Sequence, residues 1–207
     1  MKIAVIGAGN VGKALGKAWA RRGHAVTYGV RNPGDAKYDG LTTASVADAA
    51  RAAEAILLAT PWGATEAALS AAGDLAGKLL LDATNPLAMG PQGMGLAIGH
   101  TTSGGEQVAA WAKNAAVFKT LNTTGFNNME SSGGYAQKPA MFFAGDDTAR
   151  RATVAALLAD LGYEPIDAGP LVNARLLEPY GMLWIDLALK RGQGRDIAFA
   201  LMKRGKA

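Results

Sequence analysis

Gly7, Gly9 and Gly12 stand at a spacing that suits chemistry on phosphate, because they follow the apolar run KIAVI and open the stretch NVGKALGKAWA. After a strand and at the start of a helix, each glycine of a G-x-G-x-x-G turn has its own task. Gly7 permits the tight turn, Gly9 lets the backbone approach a pyrophosphate, and Gly12 lets the helix pack close to the strand. The first amides of the helix, with Asn10 and Val11 at its start, have no partner within it and can donate to phosphate oxygens. The same opening imitates a secretory signal, but Asn10, Lys13 and Lys17 interrupt the apolar core that a signal needs. Those polar positions fit instead a helix whose apolar face is Val11, Leu15, Ala18 and Trp19.

About 20 residues beyond such a turn, at the end of the second strand, an NAD-binding chain places a carboxylate against the ribose 2′-hydroxyl. Here the sequence reads YGVRNP, with Arg31 where the acid would be. A guanidinium offers a planar fork of donors that attracts a 2′-phosphate, which a carboxylate would repel. NADP is therefore expected over NAD, with Asn32 as a second polar contact and Lys37 as a helper; an ordinary solvated arginine is the alternative.

Ligands of doubly wound sheets lie beyond the carboxyl ends of the strands. ATPW at 59–62 and DATNP at 82–86 follow the third and fourth candidate strands. Thr60, Pro61 and Trp62 are placed to flank the pyrophosphate and nicotinamide ribose, and Asn85 and Pro86 to approach the nicotinamide; each alone also fits an ordinary turn. If the hydride acceptor is itself a flavin-like ring, the protein need only stack and orient two rings, and no side-chain acid or base is required. A ketone or imine would need a proton donor, for which Lys119, Asn122, Tyr135 and Tyr180 are the candidates. Met89, Met94, Met129 and Met182 could line an apolar acceptor pocket or simply fill the core. His100 reads as structural, and Arg175 and Glu178, three apart, are expected to pair on one helix.

These residues need elements to hold them. Candidate strands at 2–6, 25–30, 55–59, 78–82, 116–120, 140–144 and 164–168 alternate with helical patterns, the rhythm of a parallel sheet with crossover helices. Ser45 with Asp48 announces one helix. Acids at its start and Gly162 at its end frame another. The segment 122–138, rich in Asn, Ser and Gly, is either a cover for the site or disordered. From Gly169 onward the pattern is purely helical, with Pro179 breaking or kinking it.

With 207 residues, 49% hydrophobic and 18% charged, the chain suits one compact unit and holds no run long enough to span a membrane. The net charge of +4 is scattered, with mild clusters at Arg21, Arg22 and at Lys203, Arg204, Lys206, which argues a solvated basic face rather than a nucleic-acid surface. The sequence has no cysteine and two histidines, so disulfides, thiolate catalysis and a catalytic transition-metal site are not expected, and a cytoplasmic setting fits.

Taken together, IGAGNVG, GVRNP, TPW, DATNPL, VFKTLN, FAGDD and DAGPLVNARLLEP resemble the NADP oxidoreductases that work with the deazaflavin coenzyme F420, a family related to the reductase domain of six-transmembrane ferric reductases. The resemblance implies an α/β Rossmann fold, a doubly wound, mainly parallel sheet over 1–168, with a small helical part at 169–207 packed on it. It also implies NADPH in the glycine turn, a 2′-phosphate read by Arg31, and an acceptor in a cleft between the two parts. Lys119 and Asn122 match the family's lysine and asparagine, which ranks them first for orienting nicotinamide or acceptor. Two positions depart from the pattern: Val30 replaces a small hydroxyl residue, and Leu121 stands where relatives of the ferric reductase type carry an aromatic. A reductase of FMN, FAD or a small carbonyl or imine compound, and a non-catalytic NADPH sensor, are the alternatives. The apolar stretch GMLWIDLALK suits a core or a homodimer interface.

Overall fold

A computed structural model of the chain describes residues 1–204; Lys206 of the basic C-terminal cluster lies outside them. The chain forms β1 (Lys2–Ile6), α1 (Asn10–Arg21), β2 (Ala25–Gly29), β3 (Thr43–Ala44), α2 (Val46–Ala52), β4 (Ala55–Leu58), α3 (Thr65–Ala72) and β5 (Leu79–Asp82). It continues through β6 (Leu87–Gly90), β7 (Gly93–Leu96), α4 (Gly104–Trp111), β8 (Ala116–Thr120), α5 (Phe126–Glu130), β9 (Ala140–Gly145), α6 (Arg151–Asp160), β10 (Glu164–Asp167) and α7 (Ala174–Leu189).

Eight strands make one sheet in the order β10-β9-β8-β5-β4-β1-β2-β3, parallel except where β8 meets β9. The central strands are near-continuous apolar runs because both faces are covered, as parallel sheets require, with Asp82 and Lys119 as buried charged exceptions near the ends of β5 and β8. Alternate residues then serve two cores. Ile3, Val5, Leu57, Leu79 and Leu81 face α1 and α6, where Leu15, Trp19, Val154 and Leu158 are buried. Ala4, Ile6, Ile56, Leu58 and Leu80 face the other side with Ala49, Leu69 and Val108. One residue of register slip would exchange the two sets, so the pattern fixes the pairing. The indole of Trp19 donates to the Leu157 carbonyl at 2.9 Å, tying the first helix to the sixth. The Ser45 cap forms as expected, its hydroxyl accepting from the Asp48 amide at 3.1 Å.

Three expectations are corrected. The stretch 122–138 is not a featureless disordered loop, for within it α5 lies against α1. Arg21 donates to the Glu130 carbonyl, and Asn128 is a polar knot that receives the Tyr135 hydroxyl at 2.7 Å on its side chain and the Tyr163 hydroxyl at 2.7 Å on its carbonyl. Second, the chain after Gly169 is helical only to Leu189. The run that follows has no helix among the described residues, and its Phe199 carbonyl accepts from the Ala140 amide at 2.9 Å. Third, of the two effects expected of Pro179 the break does not occur, because α7 continues through it. Leu87–Gly90 and Gly93–Leu96 form an antiparallel hairpin that had no strand signal.

Candidate functional site

The carboxyl ends of β1, β2 and β4 surround a cleft of about 490 Å³, lined by Gly7, Gly9, Arg31, Thr60 and Pro61 together with Lys37 and Tyr38. Gly7 has φ +104°, a conformation that side chains rarely adopt, and an added Cβ would lie 2.6 Å from the Ala59 carbonyl oxygen. Gly12 is buried where the first turn of α1 passes the Gly7 carbonyl. Asn10 and Val11 occupy the first two positions of that helix. Gly7, Ala8 and Gly9 therefore leave this end of the cleft without a bulky side chain, room that suits a phosphate group beside the start of a helix.

Arg31 is exposed on the rim and enters none of the ion pairs among the described residues, whereas Lys37 is held by Asp35 at 2.7 Å and stands 4.9 Å from the Tyr38 ring centre. The hydrogen bond to Asp35 raises the Lys37 ammonium above its usual range. Lys13 reaches the same loop, donating to the Lys37 carbonyl at 3.4 Å. Asn32 is exposed and stands outside the lining of the cleft.

Beyond β4 the chain turns through Trp62–Ala64, where Thr65 donates to the Pro61 carbonyl at 3.2 Å and lies 3.0 Å from the Thr60 hydroxyl. Trp62 departs from expectation. It is not among the residues lining this cleft, and its ring packs on Trp111 of α4, with centres 5.4 Å apart.

At the ends of β5 and β8, Asn85 and Asn122 form a reciprocal pair. Asn85 Nδ2 donates to the Asn122 carbonyl at 2.9 Å, and Asn122 Nδ2 donates to Asn85 Oδ1 at 3.1 Å and to the Leu177 carbonyl of α7 at 3.0 Å. Pro86 is buried beside them, its carbonyl accepting from the Ala97 amide at 2.7 Å to close the hairpin. The turn is held at a cost. Leu121 is fully buried at φ +60°, and Asn122 Oδ1 is buried without a partner among the described residues.

Lys119 lies behind this pair rather than in the open. Its ammonium donates to Asp82 Oδ2 at 3.0 Å and to the Thr84 carbonyl at 2.6 Å, and sits 3.0 Å from Glu178 Oε1. All three ionic side chains are 0–1% exposed. Glu178 also accepts the Gly104 and Gly105 amides at 2.9 Å each, so a carboxylate of α7 fills the N-terminus of α4. Asp82 Oδ1 accepts the Thr84 amide and hydroxyl. With every ammonium bond committed, Lys119 has no donor left for a bound ring.

Arg175 and Glu178 therefore do not pair. Arg175 makes a two-pronged contact with Glu106 of α4 at 2.9 and 2.7 Å, because positions three apart on α7 face different neighbours. These bonds from Arg175 hold the Glu106 carboxyl below its usual range. A depressed carboxyl adds stability above its unfolded value and loses it as pH falls through the lower folded value. We expect Glu106→Gln to lower the melting temperature by about 2–4 °C at neutral pH, the scale of losing one partly exposed ion pair. The gap from the unchanged protein closes in acid; thermal melts across pH test this.

Of the other candidates, Tyr135 is bonded to Asn128 against the α1 face, away from the strand ends, and Met129 is a core residue, 2% exposed. Met89 and Met94 face each other across the hairpin. Tyr180 lies edge-on to Phe142 and close to Phe199, and burial raises its hydroxyl above the usual range. His100 is exposed at φ +59° beside a groove of about 640 Å³ between the hairpin's exit and α7. No group of metal-ligating side chains occurs among the described residues, and no helix there is long and apolar enough to cross a membrane.

A mainly parallel sheet with a glycine turn at its first strand, a cation after its second and polar loops after its fourth and fifth is a Rossmann-like α/β fold, the class of architecture that suits a dinucleotide. Residues 2–86 match the model of the family described as NADP oxidoreductase coenzyme F420-dependent. A solved structure from Arthrobacter sp. FB24, described as a candidate F420-dependent NADP-reductase, is 36% identical over 98% of this chain and 100% of its own, with a TM-score of 0.90. The chain belongs to the F420-dependent NADP oxidoreductase family. More distant likenesses share the fold. A reductive aminase from Aspergillus terreus in complex with NADPH and ethyl levulinate has 22% identity and a TM-score of 0.67 over 92% of this chain and 62% of its own. An imine reductase from Streptomyces aurantiacus has 20% identity and a TM-score of 0.64 over 91% and 63%.

Proposed function

We propose that this protein is an NADPH-dependent reductase that exchanges hydride with a deazaflavin coenzyme of the F420 type. The observation that carries the reading is the committed state of the charged groups at the strand ends. Lys119, Asp82 and Glu178 spend their bonds on one another and on backbone, which leaves a site able to orient rings but poor in acids and bases. When bound, NADPH supplies the hydride, and transfer between two rings needs no side-chain proton.

The residues divide the work. The amides at Gly9, Asn10 and Val11 take the pyrophosphate, Gly7 and Gly12 leave room for it, and Arg31 with Asn32 reads the 2′-phosphate. Thr60 and Pro61 border the ribose, and the Asn85–Asn122 pair with Pro86 forms the wall at the nicotinamide end. The lack of cysteine accords with a cytoplasmic setting. Leu176, 66% exposed, and Leu183, 49% exposed, give α7 an apolar face that suits a homodimer.

A second reading, reduction of a flavin or of a small carbonyl or imine compound, draws on Tyr180, whose hydroxyl makes no hydrogen bond among the described residues and could donate a proton. Steady-state NADPH oxidation by the purified protein decides between them, with F420, free FMN and a cyclic imine as parallel acceptors. Turnover with F420 alone is the expected result. Turnover only with the imine moves the chemistry to Tyr180, and tight NADPH binding with no turnover would make the protein a sensor.

A further inference from the structure

Two features of the turn after β8 are costly: Leu121 is buried in a left-handed conformation, and the side-chain oxygen Oδ1 of Asn122 is buried without a partner among the described residues. Such strain persists only where the surroundings over-determine it. The surroundings here are α7. Its Leu177 carbonyl accepts from Asn122, and its Gly181 has no side chain where an added Cβ would lie 2.6 Å from the Asn122 carbonyl and 3.1 Å from Asn85 Oδ1. The helix backbone thus rests directly on the asparagine pair. Between Leu177 and Gly181, Glu178 reaches Lys119 of β8 and the first two amides of α4.

We propose that Glu178 is a positioning residue. By fixing α7 to the ends of β8 and α4, it presses Gly181 onto the Asn85–Asn122 pair and so sets the wall against which the nicotinamide half of the cofactor is held. It touches neither cofactor nor acceptor. The inference rests on the reading that this half lies beyond β5 and β8, while the adenosine half lies at Arg31, across the sheet order from the cluster. Glutamine at 178 keeps the size but turns an NH₂ toward groups that are themselves donors, Lys119 and the two amides, so the seat of α7 loosens.

The test compares NADPH with 2′,5′-ADP, which carries the adenosine half and its 2′-phosphate but no nicotinamide. In the unchanged protein NADPH should bind more tightly than 2′,5′-ADP. In Glu178→Gln and, independently, in Gly181→Ala, 2′,5′-ADP affinity should stay within about twofold while NADPH affinity falls by about fivefold or more, the scale of losing one good hydrogen bond. A residue that merely stabilised the fold would lower both alike. Selective loss in NADPH supports the proposal; equal loss for both probes, or no loss for either, overturns it. If Glu178→Gln no longer binds 2′,5′-ADP, Gly181→Ala decides. Should the unchanged protein bind both probes equally, the reading of the nicotinamide end fails first, a result separate from failure in the variants.

Discussion

Replacing Gly7 with alanine is expected to abolish useful dinucleotide binding, lowering NADPH affinity by about 100-fold or more, and to lower the melting temperature by about 6–12 °C. Two costs coincide at this position. The backbone is at φ +104°, and the new methyl would lie 2.6 Å from the Ala59 oxygen and 2.9 Å from its carbonyl carbon. Relief means moving β1 away from the end of β4, which breaks the bond from the Ala59 amide to the Ile6 carbonyl, 2.9 Å long. A shift of that kind displaces the turn amides from their common focus. Strain, collision and a lost bond together are worth on the order of 3 kcal/mol or more. Gly63→Ala is the matched control, because an added methyl there meets open space. Isothermal titration with NADPH and thermal melts on both variants measure the effect.

The second large effect is one of selectivity. Arg31→Ala should weaken NADPH by about 10- to 100-fold, the loss of a charge-assisted contact worth roughly 1.5–3 kcal/mol, while NADH changes by less than about twofold. The contrast follows from the rim of the cleft. Arg31 stands there with no ion pair among the described residues, while Asp35 already holds Lys37. Lys37 therefore cannot replace the guanidinium without giving up its carboxylate. Arg31→Lys restores charge but not the planar fork and should fall between the two. Equal losses for NADPH and NADH would remove the 2′-phosphate from this position.

The parts of the fold that sequence made legible are those in which one residue type has a single physical use. Apolar runs at 2–6, 55–58 and 79–82 had to be central strands of a covered parallel sheet, and glycines directly after the first had to be a turn. The hairpin at 87–96 was hidden because LAMGPQGMGL contains no β-branched residue and its strands face the molecule's margin rather than a core. The run 122–138 looked featureless because its order comes from distant partners, Arg21 and Tyr163 among them.

The candidate site was legible in the same uneven way. Gly7, Gly9, Arg31, Thr60 and Pro61 line one cleft. Trp62 was assigned to that cleft by its place after a strand, yet an aromatic ring follows apolar area, and Trp111 offered it. Arg175 and Glu178 were paired by spacing alone. Their true partners, Glu106 and Lys119, lie 69 and 59 residues away in the chain, and no periodicity reports such distances. One signal was available: an aspartate ending one apolar strand, at 82, and a lysine near the end of another, at 119, must neutralise each other if those strands are neighbours.

The central claim is that this site passes hydride from NADPH directly to a deazaflavin. It is tested most directly by mixing the protein with NADPH carrying deuterium on the transferable face of its nicotinamide and with F420, and weighing the reduced coenzyme by mass spectrometry after a single turnover. Deuterium retained in the reduced F420, with none washed out to solvent, is the predicted result. Reduced coenzyme carrying only solvent hydrogen, or NADPH left unoxidised while the protein holds it tightly, would contradict it.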